Sequence, residues 1–426
     1  MRRLQVAVVG GGWAGLAAAI EATLRGHAVT LFEMAPHWGG RARRVDIDGV
    51  ALDNGQHILI GAYRETLRLM QAVGIDLDAV FLRTPLQLVG PDGRGLRLPA
   101  GSPVPAFVRG VLSRRGWTLG ERMKLLLAAG GWGLKGFRCD ERLTVAELTG
   151  DLPVALRKEL VDPLCVAALN TPSDHASANV FLRVIRDALF SGPGSADLLL
   201  PRRRLTDLLP APATRWLAAH GAMLRLSTRV EALAPDNGGW AVDGARFDAV
   251  VLATTAVEAA RLAAVVAPDW AAVAAALPYE PIVTVYAQSD GTRLSNAMLA
   301  LPCDADERPA QFVFDHGQLG GRDGLLAFVI SGAQPWIERG MDCTRDATLR
   351  QGRELLAQQL RSPLQPVRTL TERRATFRCT PSLDRPPGHL AAKLQAAGDY
   401  VAGPYPATIE GAVRSAVEAV KRLAPA

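Results

Sequence analysis

Three glycines near the start of the sequence have the spacing of a dinucleotide-binding turn. Residues 6–15 read VAVVGGGWAG, so a valine-rich segment leads into Gly10, Gly12 and Gly15, and an alanine-rich segment follows. In a strand–turn–helix, the first glycine permits the turn, the second lets a pyrophosphate approach the backbone, and the third lets the helix pack on the strand. The N–H groups that begin the helix would then face the phosphates.

A carboxylate follows at the distance expected of a ribose-binding acid. The second predicted strand, Ala28–Phe32, ends in Glu33, which lies 18 residues after Gly15. There the carboxylate can accept hydrogen bonds from both ribose hydroxyls, and it would repel a 2′-phosphate. FAD or NAD is therefore favoured over NADP. The alternative is a glycine-rich turn between strand and helix that binds nothing.

Composition limits the class of protein. The chain has 426 residues, of which 49% are hydrophobic and 21% charged, with a net charge of +6, so it is long enough for two or three globular domains. Aromatic residues, at 6%, are too sparse for the stacking surfaces of nucleic-acid modules. The five cysteines form no CxxC pair, so we expect no disulfide framework and no metal site.

A basic block separates the first segments from the rest of the chain. Residues 107–138 contain seven basic residues and one acid, Glu121, with Trp117 and Trp132 among apolar residues. A basic amphipathic segment that carries tryptophan suits a membrane interface. The alternative is a helical cap over a substrate cavity. No apolar run reaches the length of about 18 residues that a membrane span needs.

The end of the chain holds a second candidate cofactor motif. Gly398 and Asp399 follow a presumed short strand, and Asp399 can bind a ribityl hydroxyl while the glycine permits close approach of the backbone. Thr408 can cap the last predicted helix, residues 409–423. The positive end of that helix would favour the negative charge of a reduced flavin. Two further segments, 224–233 and 247–255, are predicted strands that return to the dinucleotide-binding sheet.

These motifs together resemble the flavin amine-oxidase and phytoene-desaturase superfamily, and more narrowly the hydroxysqualene dehydroxylases of bacterial hopanoid synthesis. The resemblance is carried by segments along nearly the whole chain: GGGWAGLAAA at 10–19, HWGGRAR at 37–43, LDNGQHILIGAYRETL at 52–67, PLCVAALNTP at 163–172 and PATIEGAVRSA at 406–416. It departs at Tyr400, where tryptophan is expected, and at Ala416, where glycine is expected.

The resemblance implies an α/β fold in three parts. A discontinuous Rossmann-like FAD-binding domain is expected at 1–80, 205–270 and 385–426, a mixed-sheet substrate domain at 81–104 and 271–384, and a helical, membrane-facing subdomain at 105–204. The implied cofactor is FAD, and its implied contacts are Gly10, Gly12, Gly15, Glu33, Gly40, Arg41, Gly55, Val230, Gly398, Asp399, Thr408 and Ile409. For Arg41 the alternative is a solvated surface arginine.

The implied reaction removes an allylic hydroxyl from a C30 isoprenoid, with reduced FAD supplying hydride. His57 is the best candidate for the acid, although it could instead only bind the backbone beneath the flavin. Gln56 and Asn170 complete the candidate catalytic set, and Asp53 could orient His57. The sequence does not indicate the electron donor. We expect a cytoplasmic protein, peripheral on the inner face of the bacterial membrane.

Three alternatives share this fold. A carotenoid or phytoene-type desaturase would remove hydride instead of delivering it. An amine oxidase would need an aromatic pair around the substrate amine, of which Tyr400 could supply one wall. A carrier that resembles the GDP-dissociation inhibitors would bind prenylated partners and no flavin.

Overall fold

The computed structural model describes residues 3–47 and 49–423, so the ends of the predicted FAD-binding domain, 1–2 and 424–426, lie outside the described residues. The strands are β1 Gln5–Val9, β2 Ala28–Phe32, β3 Arg44–Ile47, β4 Val50–Asp53, β5 Leu59–Ile60, β6 Phe81–Thr84, β7 Gln87–Val89, β8 Gly95–Arg97, β9 Leu198–Pro201, β10 Met223–Arg225, β11 Leu233–Asp236, β12 Gly239–Val242, β13 Ala245–Phe247, β14 Ala249–Leu252, β15 Tyr279–Gln288, β16 Met298–Ala300, β17 Phe312–Asp315, β18 Leu325–Ile330, β19 Gln365–Phe377, β20 His389–Ala391 and β21 Leu394–Ala396.

The helices lie between these strands. They are α1 Trp13–Leu24, α2 Arg64–Ala72, α3 Leu77–Val80, α4 Pro103–Ser113, α5 Leu119–Leu134, α6 Val145–Leu148, α7 Val154–Leu156, α8 Asp162–Leu169, α9 Ala178–Phe190, α10 Leu205–Leu208, α11 Pro210–Ala219, α12 Ala256–Ala263, α13 Pro268–Ala275, α14 Gln334–Glu338, α15 Met341–Leu355 and α16 Ile409–Lys421. A π-helical turn joins α7 to α8, and a 3-10 turn, His316–Leu319, follows β17.

The sheet that contains β1 has the strand order β10-β2-β1-β14-β21-β20. Its pairs are parallel except for the last, in which β20 runs antiparallel to β21. Strands from three separate parts of the chain therefore form the predicted Rossmann-like sheet. In a parallel sheet, the turns that follow β1, β2 and β14 lie at the same edge, where ligands of such sheets bind.

The two faces of β1 pack into different apolar clusters. Val6 and Val8 face α1 and α16, whereas Ala7 and Val9 face the cluster on the other side of the sheet. All four side chains are buried. A central parallel strand is covered on both faces, which explains why the sequence of β1 is an unbroken apolar run.

The last helix, α16, is tied to α2 by a buried carboxylate. Glu410 is 0% exposed, and its carboxylate accepts hydrogen bonds from the backbone N–H groups of Glu65, at 3.1 Å, and Thr66, at 3.0 Å. Arg414 Nε donates to the same carboxylate at 2.6 Å. The residue that precedes α2, Tyr63, supplies no side-chain cap. Glu410 therefore satisfies N–H groups that the first turn of α2 would otherwise leave unpaired.

A second sheet has the strand order β16-β17-β18-β15-β19. All of its pairs are antiparallel, so this sheet is antiparallel where a mixed sheet was predicted. The difference arises because β16, β17 and β18 follow one another with short connections, which join antiparallel neighbours. The longest strands, β15 and β19, pair with each other and carry residues toward the candidate site.

Two further predictions differ from the structure. The predicted strand 224–233 is interrupted after β10, because Ser227 has a φ of +51° and Asp243 Oδ1 accepts hydrogen bonds from the N–H groups of Glu231 and Ala232. The segment resumes as a strand only at β11. The predicted helical range 105–204 contains α4 to α9, as expected, but it also contains β9, which pairs with β5 and β6. The predicted domain boundaries themselves stay predictions.

Candidate functional site

The turn between β1 and α1 contains two glycines that the fold itself requires. Gly10 has a φ of +108°, and a Cβ at this position would lie 2.5 Å from the carbonyl oxygen of Ala253. A Cβ on Gly15 would lie 1.7 Å from the carbonyl oxygen of Gly10. No side chain fits at either position, so α1 packs directly against the turn.

Gly12 differs from these two, because neither its backbone conformation nor its packing requires a glycine. Its φ and ψ are −74° and −176°, and a Cβ would meet nothing closer than the Cα of Gly40 at 3.8 Å. Gly12 precedes α1, and no side chain caps that end of the helix. A glycine beside uncapped N–H groups fits a pyrophosphate that approaches the backbone closely.

Glu33 lies immediately after β2 and beneath the same turn. Its Oε2 accepts a hydrogen bond from Gly11 N at 2.6 Å, and its Oε1 accepts one from Ala35 N at 2.8 Å. Each carboxylate oxygen has a second lone pair for a ribose hydroxyl. Gly40, with a φ of +60°, lies against Gly12, where an added Cβ would come within 3.1 Å of the Gly12 Cα. The two glycine segments thus meet backbone to backbone.

Arg41 connects this region to the other end of the chain. Its Nη2 donates to Asp399 Oδ1 at 2.7 Å, and its Nη1 donates to the carbonyl oxygens of Ala375, at 2.7 Å, and Arg374, at 3.2 Å. Burial is the largest single effect and would lower the pKa of Arg41, but Asp399, Tyr279 and Glu372 together raise it above its usual value. Arg41 is therefore a partly exposed cation held in place by three acceptors, and it does not extend freely into solvent.

The start of α16 lies directly beside Asp399. Thr408 Oγ1 accepts a hydrogen bond from Gly411 N at 3.0 Å and so caps the helix, of which Ile409 is the first residue. Ala407 N donates to the carbonyl oxygen of Asp399 at 3.1 Å. The structure therefore brings four predicted cofactor contacts together: Gly398, Asp399, Thr408 and Ile409. The positive end of the α16 dipole lies next to them.

The buried hydroxyl group of Tyr400 also indicates that the site holds a ligand. Its side chain is 1% exposed, and its hydroxyl has no hydrogen-bond partner among the residues that the structure describes. Burial raises the pKa of Tyr400, and Tyr279 and Asp399 raise it further. An unpaired buried hydroxyl costs about 1–3 kcal/mol. A polar ligand beside Asp399 and Arg41 would satisfy this group.

Two predicted cofactor contacts come from other segments. Val230 is buried in the loop between β10 and β11, and Thr228 N in this loop donates to the carbonyl oxygen of Glu33 at 2.9 Å. The loop is thus attached to the end of β2. Gly55 is buried, yet a Cβ there would meet no atom within 4 Å. Open space beside a buried glycine is a further feature that fits a bound cofactor.

A buried polar cluster lies beyond the end of β4. Gln56 Nε2 is 3.2 Å from the Tyr286 hydroxyl and 2.9 Å from His316 Nε2. The Tyr286 hydroxyl donates to the carbonyl oxygen of Asp53 at 2.9 Å. Arg204 Nη1 lies 3.3 Å from His316 Nδ1 and 3.7 Å from Asp53 Oδ2. Five side chains from four segments of the chain thus share one network.

The carboxyl group of Asp53 has a pKa close to neutral pH. Burial raises its pKa to about 6, although the N–H group of Leu205, which donates to Oδ1 at 2.9 Å, and the charge of Arg204 oppose the shift. His316 shows the opposite effect, because burial and Arg204 lower its pKa to about 3. At neutral pH the cluster therefore contains a neutral imidazole and a carboxyl group that still carries a proton in part of the molecules.

His57 follows Gln56 of this cluster, and the charge of Arg41 acts on its imidazole. Burial, followed by the charge of Arg41, lowers the pKa of His57 to about 4. The imidazole is therefore neutral at pH 7. A perturbed pKa beside a candidate cofactor site is typical of functional residues.

Asn170 has a structural position. It ends α8 with a φ of +47°. Its Nδ2 donates to Thr376 Oγ1, at 2.9 Å, and to the carbonyl oxygen of Glu280, at 3.2 Å, and its Oδ1 accepts from Gly332 N at 2.8 Å. Both N–H donors of the amide and one lone pair of its oxygen are thus used within the protein. We therefore leave Asn170 out of the proposed catalytic group.

Tyr286, His316 and Arg204 were not predicted from the sequence. Each stands alone in its own segment, and no spacing motif links them to Gln56, from which Tyr286 and His316 are separated by 230 and 260 residues. The available signal was a tyrosine within the apolar strand β15. Among the residues described, no group of three or more His, Cys, Asp or Glu side chains could hold a metal ion. Within the same residues, no helix is long and apolar enough to cross a membrane.

Known proteins resemble this chain over nearly its whole length. Three curated relatives named hydroxysqualene dehydroxylase are 25–27% identical over 96% of this chain; the one from Sinorhizobium fredii is 27% identical, over 96% of its own length. Zeta-carotene desaturase from Zea mays is 34% identical, but over 25% of this chain and 20% of its own. An oxidoreductase structure from Methanosarcina mazei has a TM-score of 0.74, covers 98% of this chain and 100% of its own, and is 17% identical, which supports the fold alone.

The sequence profile of a whole enzyme family also matches. The profile described as "Flavin containing amine oxidoreductase" covers residues 13–424. This match confirms the FAD cofactor and, with the curated relatives, an FAD-dependent oxidoreductase. Together with the structural neighbour it confirms the predicted fold class. The glycine turn, the acid after β2 and the polar start of α16 lie at one edge of a parallel sheet, as a flavin site requires. The chain belongs to the family of flavin-containing amine oxidoreductases.

Proposed function

We propose that this chain removes the hydroxyl group of hydroxysqualene to give squalene, as a step of bacterial hopanoid synthesis. The observation that carries the proposal is the length of the match. The relatives named hydroxysqualene dehydroxylase align over 96% of both chains, whereas the Zea mays desaturase aligns over a quarter of this chain.

The reaction needs a proton and a hydride. The allylic C–O bond breaks, the oxygen leaves with the proton as water, and the carbon gains a hydride. Reduced FAD, when bound, supplies the hydride and is oxidised. The residues of this chain must therefore hold FAD, exclude bulk water and deliver one proton to the leaving oxygen.

Several residues fit the task of holding FAD. The backbone at Gly12 and the uncapped start of α1 suit the pyrophosphate, and the Glu33 carboxylate suits the ribose. Arg41 and Asp399 offer a cation and an acceptor for the remaining polar groups of the cofactor. The positive end of the α16 dipole would favour the negative charge of a reduced flavin held beside it.

His57 is the proposed proton donor. With a pKa of about 4, its imidazolium is a strong acid, but only about one molecule in a thousand carries it at pH 7. Asp53 has a pKa of about 6, so about one molecule in ten carries a carboxyl proton at that pH. Gln56 Nε2 contacts Tyr286 and His316, and Tyr286 donates to the carbonyl oxygen of Asp53. The pH dependence of the reaction distinguishes the two donors.

The direct test uses the purified flavoprotein. The flavin is photoreduced without oxygen, hydroxysqualene is added, and products are extracted while the flavin absorbance is followed. We expect reoxidation of the flavin together with an equal amount of squalene. If reduced flavin is stable with hydroxysqualene, and the oxidised protein instead introduces double bonds into phytoene or zeta-carotene, the protein is a desaturase and the proposal is wrong.

A further inference from the structure

The helix α5 presents an apolar face to solvent. Leu119, Met123, Leu127 and Leu134 are 69%, 43%, 70% and 92% exposed. Residues four and seven apart share one side of a helix, so these four form a single row. In the middle of the row, a Cβ on Gly130 would meet no atom within 4 Å. The row is therefore open along its length.

The opposite side of α5 faces the protein. Leu125 is 3% exposed and, with Trp132 seven residues later, packs into the main apolar cluster. A helix on the surface of a soluble protein normally places polar residues opposite its buried side. In α5 the side opposite the core is apolar, so packing within this chain does not explain it.

Unpaired cations border the apolar row. Arg115, Lys124, Lys135 and Arg138 are exposed, and within the described part of the chain none of them forms an ion pair. The acid in α5, Glu121, is used in the capping box with Thr118, where its Oε2 accepts from Thr118 N at 2.7 Å. The border of the row therefore has an uncompensated positive charge.

The orientation of α5 is fixed by buried contacts at its beginning. Trp117 is 4% exposed, and its indole Nε1 donates to Glu159 Oε2 at 2.9 Å. Arg114 Nη2 donates to the same oxygen at 2.9 Å. Trp117 therefore anchors the helix to the protein and is not itself an interfacial residue, in contrast to the role that its sequence context predicted.

We propose that the outward face of α5 docks on a bilayer that contains anionic phospholipid. The charge of this face matches such a bilayer. The exposed leucines would enter the boundary between head groups and acyl chains, and the bordering lysines and arginines would contact phosphate groups. The inference stands on the surface of α5 alone and does not depend on hydroxysqualene as substrate. It also gives a position to the peripheral membrane contact expected from the sequence.

The test is flotation of the flavin-loaded protein with vesicles of phosphatidylcholine, with and without phosphatidylglycerol. We expect binding to the anionic vesicles, weakened by salt. A variant with Lys124→Gln, Lys135→Gln and Arg138→Gln should lose about a hundredfold in partitioning. A variant with Leu119→Ser, Leu127→Ser and Leu134→Ser should lose binding to the anionic vesicles even at low salt. Val265→Ser, at a residue that is 91% exposed elsewhere, is the matched control and should bind normally.

Bound flavin and thermal denaturation show that each variant is folded. Equal binding of the wild type and both triple variants would overturn the proposal. So would a wild-type dimer that the leucine variant converts to a monomer without any vesicle binding, because the row would then be an interface between two copies. If the wild type binds anionic vesicles but does not convert hydroxysqualene, the proposed function is contradicted and this inference stands.

Discussion

Arg41 Nη2 and Asp399 Oδ1 lie 2.7 Å apart and join two segments that are separated by 358 residues. The first residue follows the glycine turn region, and the second precedes the last helix, so this ion pair connects both cofactor-binding segments directly. The same guanidinium holds two carbonyl oxygens of β19. One side chain therefore ties the Rossmann-like sheet, the C-terminal segment and the antiparallel sheet together at the candidate site.

Gly12→Ala should remove flavin without unfolding the protein. The added Cβ meets nothing closer than 3.8 Å within the chain, but it occupies the space that a pyrophosphate needs. We expect a thermal midpoint close to that of the wild type and little flavin absorbance after gel filtration. Gly130→Ala is the matched control and should retain flavin. A flavin content equal to that of the wild type in Gly12→Ala would contradict this placement of the cofactor.

Asp399→Asn should weaken retention of flavin more than it weakens the fold. The substitution removes the charge that fixes Arg41, and the pair is partly exposed, at 32% and 11%, so the cost in unfolding free energy is about 1 kcal/mol. We expect the dissociation constant for FAD, measured by titration of the apoprotein, to rise at least about tenfold if one charged hydrogen bond is lost. An unchanged constant would show that Asp399 serves Arg41 only.

His57→Ala should keep bound flavin and lose most turnover, whereas His175→Ala, at an exposed histidine, should leave turnover unchanged. Because His57 has a pKa of about 4, the single-turnover rate with hydroxysqualene should rise about tenfold for each unit of pH that is lost between 7 and 5. The measurement is stopped-flow reoxidation of the photoreduced flavin. A rate that levels off below about pH 6 would assign the proton to Asp53.

Asp53→Asn should change how stability depends on pH. The pKa of Asp53 is raised from 3.8 to about 6 by folding, so the folded wild type loses stability as pH rises through this range and the carboxyl group ionises while buried. The asparagine variant lacks this loss. Relative to the wild type, its unfolding free energy should therefore increase by up to about 3 kcal/mol between pH 4 and pH 7. Urea denaturation at both pH values checks this, and a difference that is the same at both would refute the shifted pKa.

Glu410→Gln should destabilise the protein by about 2 kcal/mol, because a fully buried carboxylate that accepts from two N–H groups of α2 and from Arg414 becomes a neutral amide. Glu418→Gln, on an exposed turn of α16, is the control and should change stability by less than about 0.5 kcal/mol. Chemical denaturation measures both values. Equal stability of the two variants would show that the cap on α2 contributes nothing.

The local parts of the site were predictable from the sequence, and the long-range parts were not. Gly10, Gly12, Gly15 and Glu33 lie within 24 residues, and their spacing reports one strand–turn–helix unit. Asp399 and Arg41 were both predicted as cofactor contacts, but their mutual contact depends on the packing of distant segments. The prediction of one strand over 224–233 was wrong, because Ser227 has a left-handed backbone conformation that interrupts an otherwise alternating pattern. Tyr286 and His316 reach Gln56 only through the tertiary arrangement of β15 and β17.

The Arg41–Asp399 contact also sets an order of events during synthesis. A ribosome that has produced the glycine turn must still add more than 350 residues before the carboxylate that completes the pocket exists. A nascent chain thus has the glycine turn for the phosphates early, but it lacks the Asp399 segment that completes the site. Uptake of the prosthetic group should accordingly follow the synthesis of residue 399, and chains truncated before residue 399 should be colourless.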